Sequence, residues 1–176
     1  RDRDVVKLQN YNHVMLLCDN SPSVGNSYSY LGKMIASQDV QGLKLDFSTF
    51  SNKLDGFKTL DNTKAVAQAV KEIKFNGNTE ERALDVAMKA LKKMTGEKDD
   101  KGVVFIMTDE ALQEISWQKI QEIKALAAEK NSDVFFYYGD DRNHSVRQIS
   151  LNDLERGFEY EALNRVSGNV ESILKK

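Results

Sequence analysis

Uninterrupted apolar runs alternate along this chain with apolar residues at helical spacing. Residues 13–18, His13-Val14-Met15-Leu16-Leu17-Cys18, form a continuous run and predict a strand covered on both faces. Val24, Tyr28, Leu31 and Ile35 then recur at helical spacing, predicting a helix over 24–38. Residues 42–51 place Leu43, Leu45, Phe47 and Thr49 on one face, as in a half-buried strand nearer an edge. Asp55-Gly56 is a hairpin signal leading into a short strand at 57–60. Val66, Ala69, Val70 and Ile73 mark an amphipathic helix over 63–73, broken by the polar, Gly-containing stretch that follows. In 79–94 the stripe is Leu84, Ala87, Met88 and Leu91, with Glu80 and Glu81 at the start and Lys92 and Lys93 at the end, as the helix dipole favours. Another doubly buried strand follows at 102–108, a helix through Ile120, Ile123 and Ala127, and a strand at 133–139. The tail predicts a helix around Glu159 to Val166 and a closing helical turn at 168–176.

Strands alternating with helices predict an α/β fold: a doubly wound, mainly parallel central sheet with one antiparallel edge strand and helices on both faces. One Pro, no repeat and no low-complexity segment leave nothing to divide the chain, so residues 1–176 read as one domain. A hydrophobic fraction of 40% and a charged fraction of 30% suit a globular chain able to bury its own core. The net charge of -2, without a Lys/Arg cluster mixed with aromatics, argues against nucleic acid as a partner. No apolar run is long enough for a membrane span. The start has neither an initiator Met nor a signal-like apolar core, so the chain reads as an excised domain with its targeting signals elsewhere. One cysteine and two histidines offer neither an internal disulfide nor a Cys/His zinc site.

Chemistry gathers at the predicted strand ends. In open α/β sheets, ligands bind at the carboxyl ends of the parallel strands. The first strand ends in Asp19-Asn20-Ser21-Pro22-Ser23, the 102–108 strand runs into Asp109, and Thr79 opens a helix. Two carboxylates and three hydroxyls are hard oxygen donors suited to Mg²⁺, Mn²⁺ or Ca²⁺. Two carboxylates just balance a divalent cation, and the neutral hydroxyls leave it an open position for water or an incoming carboxylate. The same residues have a purely structural alternative: Ser21-Pro22, Thr79 and Asp109 are all good helix-start residues.

Asp19-x-Ser21-x-Ser23, a distant Thr79 and Asp109 in "FIMTDE" resemble the metal-ion-dependent adhesion site of von Willebrand factor type A domains, the fold of integrin I domains. The resemblance covers roughly residues 13 to 140 in motif order, spacing and strand-helix order. It implies a Rossmann-like fold in which Ser21, Ser23 and Thr79 are hydroxyl ligands, while Asp19 and Asp109 hold the metal directly or through water. An acidic side chain of a protein partner would complete the sphere. The implied function is adhesion-type protein binding, extracellular or at the cell surface, with the tail from Glu159 onward as the candidate moving part. An intracellular assembly or regulatory module of a chelatase or other ATPase system is the alternative. Hydrolysis by a metal-activated water lacks a general base in the motif loops, so no enzymatic activity is expected. Two departures stand out. Pro22 replaces the glycine common between the serines and stiffens the loop. Glu110 replaces the glycine common after the second acid, where it would raise metal affinity, occupy the open position or repel an acidic partner.

The remaining conspicuous residues read as structural. His13 is a packed or solvated residue at a strand start, and Cys18 a small buried hydrophobe. Trp117 is expected in the core, and Tyr28, Tyr30 and the aromatic run 135–138 are expected to pack. Asn143-His144-Ser145 matches a glycosylation sequon, a triplet too short to indicate secretion by itself.

Overall fold

A computed structural model describes residues 5–21, 29–50, 56–77, 83–108, 116–140 and 145–157. Six strands form one sheet: β1 (His13–Asp19), β2 (Lys44–Phe50), β3 (Lys58–Leu60), β4 (Gly102–Thr108), β5 (Ser132–Asp140) and β6 (Ser145–Ser150). Among the described residues helices α1 (Ser29–Ala36), α2 (Lys64–Lys71), α3 (Ala83–Leu91) and α4 (Trp117–Glu129) accompany them. The strand order is β3-β2-β1-β4-β5-β6. β1 pairs in parallel with β2 and β4, and β4 with β5, while β3 and β6 run antiparallel along the two edges. This is the doubly wound α/β fold expected, with a second antiparallel edge strand, β6, that the hydrophobic pattern did not reveal.

The continuous apolar runs are explained by what covers them. All seven residues of β1 and of β4 are buried. Alternation along each strand sends Val14, Leu16, Cys18, Val103, Phe105 and Met107 to the face covered by α1 and α2. Met15, Leu17, Val104 and Ile106 go to the face covered by α3 and α4. The helices meet them with the predicted stripes: Val66, Ala69 and Val70 of α2, Leu84, Ala87 and Leu91 of α3, and Ile120, Ile123 and Ala127 of α4 are buried. Each large side chain so covered contributes about 1.5–3 kcal/mol relative to exposure. Ser116 caps α4, its hydroxyl accepting the Lys119 N–H at 3.0 Å. The predicted tail helices at 159–166 and 168–176 lie outside the described residues. Just before them residues 151–157 are helical, with Leu151 and Leu154 buried.

Three expectations are corrected. β2 is not half-buried: Asp46 and Ser48, on its polar face, are as inaccessible as Leu45 and Phe47. Asp46 is accommodated because His13 Nε2 lies 2.7 Å from its Oδ2 and Thr59 donates to its Oδ1 at 2.9 Å. His13 is accordingly packed, at the start of β1. Trp117 is 39% exposed and Tyr30 57% exposed, so neither is a core residue. Tyr28 lies outside the described residues, whereas Phe136 and Tyr137 pack as expected.

Two phenols make the fold sensitive to alkali. Burial, then the hydrogen bond from Tyr11 Oη to Asp133 Oδ2 at 2.6 Å, push the Tyr11 pKa up. Burial does the same for Tyr137, with a smaller contribution from Tyr30. In the unfolded chain both ionise near pH 10, so the stability they hold is complete below about pH 10 and declines as the pH rises beyond it. Near-ultraviolet absorbance titration should therefore show the phenols of Tyr11 and Tyr137 ionising late, together with unfolding. Tyr137→Phe should remove one equivalent from that late phase. A single reversible phase containing all the tyrosines would contradict this.

Candidate metal centre

The sheet changes direction of growth between β1 and β4: β2 and β3 extend it on one side, β5 and β6 on the other. The carboxyl ends of β1 and β4 therefore frame the crevice where doubly wound sheets bind ligands. Asp19, the last residue of β1, is fully buried there. Its Oδ1 accepts the backbone N–H of Ser21 at 2.9 Å, and its Oδ2 accepts the hydroxyl of Thr108, the last residue of β4, at 3.3 Å. Asn20 N–H donates to the Phe50 carbonyl at the end of β2, and Asn20 O accepts the Gly77 N–H, both at 3.1 Å. The ends of three parallel strands and the 73–77 segment are thus bonded together on one rim.

Of the five nominated residues, the structure brings Asp19 and Ser21 together, both buried. Ser23, Thr79 and Asp109 lie outside the described residues, as do Pro22 and Glu110. The described neighbours Ser21, Gly77 and Thr108 stand on the rim within one or two positions of these three in sequence. Among the described residues no group of three or more His, Cys, Asp or Glu could hold a metal ion. The donors that are described fit a hard cation: a carboxylate and a hydroxyl, beside the amide oxygen of Asn20. That Oδ1 is buried and has no hydrogen-bond partner among the described residues. A buried polar atom without a partner is costly, and a cation or water nearby is one way to relieve it.

Thr108 and Asn20 stand at the site without belonging to the motif of five residues. The available signal for Thr108 was a hydroxyl closing an otherwise apolar strand, a position where it serves the neighbouring strand's carboxylate. Cys18, one residue before Asp19, has its Sγ 3.0 Å from Met107 Sδ. Burial, and then the adjacent Asp19 charge, push its thiol well above the usual range. It packs as a small hydrophobe and is poorly suited to act as a nucleophile.

No protein-family model matches the sequence, and no curated protein matches it. Solved structures do. An aerotolerance-related membrane protein from Bacteroides fragilis NCTC 9343, crystallised with multiple mutations to serines, matches with a TM-score of 0.53 at 11% identity over 81% of this chain and 83% of that one. The conserved hypothetical protein BatB from Bacteroides thetaiotaomicron matches with a TM-score of 0.45 at 15% identity over 93% of this chain and 99% of that one. Among the described residues no helix is long and apolar enough to cross a membrane. At 11% identity the likeness to the first of these shows the fold alone, a doubly wound α/β arrangement.

Proposed function

We propose that this domain is a protein-binding, adhesion-type module in which a divalent cation captures an acidic side chain of a partner. Asp19, Ser21, Ser23, Thr79 and Asp109 hold Mg²⁺, with Mn²⁺ or Ca²⁺ as substitutes, and the domain carries out no turnover. The observation that carries this reading is the placement of Asp19. A carboxylate with no solvent exposure sits at the crevice between β1 and β4, oriented through both oxygens by Ser21 and Thr108. Such second contacts are how proteins fix a ligating carboxylate. When bound, the cation supplies a Lewis-acidic position, and the chain's own residues supply its orientation. The same reading puts the domain outside the cell or at its surface, where cation-mediated adhesion operates.

Calorimetric titration with Mg²⁺ and Mn²⁺ tests it. The wild-type domain should bind in the millimolar range or tighter, and Ser21→Ala and Thr79→Ala should each weaken binding at least about tenfold. Absence of binding in that range, or binding indifferent to both substitutions, would sink the proposal.

A further inference from the structure

α1 and α2 approach closely at Gly32, where a Cβ would come within 3.3 Å of Val70. Beside this contact the helices leave a cleft of about 180 Å³. It lies toward the rim, because its wall includes Ile73 and Phe75 of the segment that Gly77 ties to Asn20. Val70, Ile73 and Phe75 give it an apolar floor continuous with the core. Among the described residues its polar lining is the Ser29 hydroxyl and two lysines, Lys33 from α1 and Lys71 from α2, with no acidic residue. Neither ammonium group makes an ion pair or hydrogen bond with any described residue. In a chain of net charge -2, two unpartnered ammonium groups over an apolar floor are a local reversal of sign.

We infer that this cleft is a second docking subsite for an acidic segment of the protein partner, taking a carboxylate between Lys33 and Lys71 and an adjacent apolar side chain on the floor. The inference rests on the protein-binding reading above but not on the cation. The volume fits it: small-molecule pockets run from about 300 Å³ upward, whereas this one suits one or two side chains. The two charges stand in solvent, so they contribute orientation and encounter rate more than affinity, and their loss should cost about tenfold in binding and no more.

The test is an NMR titration of the isotopically labelled domain, in EDTA, with a short peptide alternating leucine and aspartate and with its leucine-asparagine counterpart. The aspartate peptide should shift the amides of Ser29, Lys33, Lys71 and Phe75 saturably, and the asparagine peptide should bind about tenfold more weakly. Lys33→Glu/Lys71→Glu should lower aspartate-peptide affinity about tenfold, and Lys33→Arg/Lys71→Arg should retain it. These are exposed positions, so an unchanged spectrum elsewhere will certify the fold of both variants. Equal binding of the two peptides, shifts outside the cleft, no shifts at all, or a double Glu variant that binds like wild type would each overturn the inference. Adding Mg²⁺ to the same samples separates the two proposals: the amides of Asp19 and Ser21 report the cation, and those of Lys33 and Lys71 report the cleft. Either can fail alone.

Discussion

His13→Leu is expected to lower the unfolding free energy by about 3 kcal/mol and the Tm by roughly 6–12 °C. His13 is 3% exposed and Asp46 8% exposed, on neighbouring strands, with Nε2 and Oδ2 2.7 Å apart. Leucine fills much of the imidazole's volume, so little of the cost is a cavity. The cost comes from stranding a buried carboxylate oxygen, which forfeits a hydrogen bond with no water to replace it. Thr59 still donates to Oδ1, which keeps the loss toward the lower end of the range for a broken buried pair. Asp46→Leu should cost a similar amount for the converse reason, leaving the buried His13 Nε2 unpartnered, while the exposed Thr59 hydroxyl turns to water. Replacing both residues by leucine should cost clearly less than the sum, because apolar groups of suitable size need no partners. Urea unfolding of the two single variants and the double variant measures the coupling. Strict additivity, or a His13→Leu cost below about 1 kcal/mol, would show that the pair contributes little.

The same pair marks where the sequence was hard to read. Leu43, Leu45, Phe47 and Thr49 alternate as they should, but period-two alternation states only that the intervening positions are polar, not that they face water. Asp46 and Ser48 turn inward because β2 lies one strand in from the edge, flanked by β1 and β3. The partners that make this tolerable come from 33 residues upstream in the case of His13 and 13 downstream in the case of Thr59, contacts no local pattern encodes. By contrast, β1 and β4 were legible because burial on both faces leaves an uninterrupted apolar run. β6 was not, since an edge strand of residues 145–150 has one neighbour, β5, and can retain Arg147 and Gln148. The candidate site divides in the same way. Its motif residues are short-range and visible in the sequence, whereas the bonds that orient Asp19 span the sheet: Thr108 lies 89 residues away. Trp117 and Tyr30 were misplaced for a different reason, since a helix's first turn can carry an aromatic outward while the stripe behind it stays apolar.

Gly102→Ala, one methyl group at the start of β4, is expected to cost about 2–3 kcal/mol, near the upper end for overpacking a core. Gly102 lies between His13 of β1 and Ser132 of β5 in the parallel register, and its N–H donates to the Asn131 carbonyl at 3.1 Å. A Cβ there would stand 2.6 Å from Ser132 Oγ and 2.9 Å from Met94 Sδ. Both side chains are buried, at 8% and 4% exposure. Met94 is flexible and can give way. Ser132 has less freedom: its hydroxyl donates to the Lys130 carbonyl at 2.8 Å, and turning it aside breaks that bond inside the protein. Backbone movement is the other escape, but strands on both sides hold β4 by paired hydrogen bonds, so a shift would spread through the sheet. Gly102→Ala/Ser132→Ala removes the nearest obstacle, and in thermal unfolding it should recover about half of the loss, while Ser132→Ala alone costs about 1 kcal/mol. If the double variant were no more stable than Gly102→Ala, the clash would lie with Met94, and Met94→Ala would then be the compensating change.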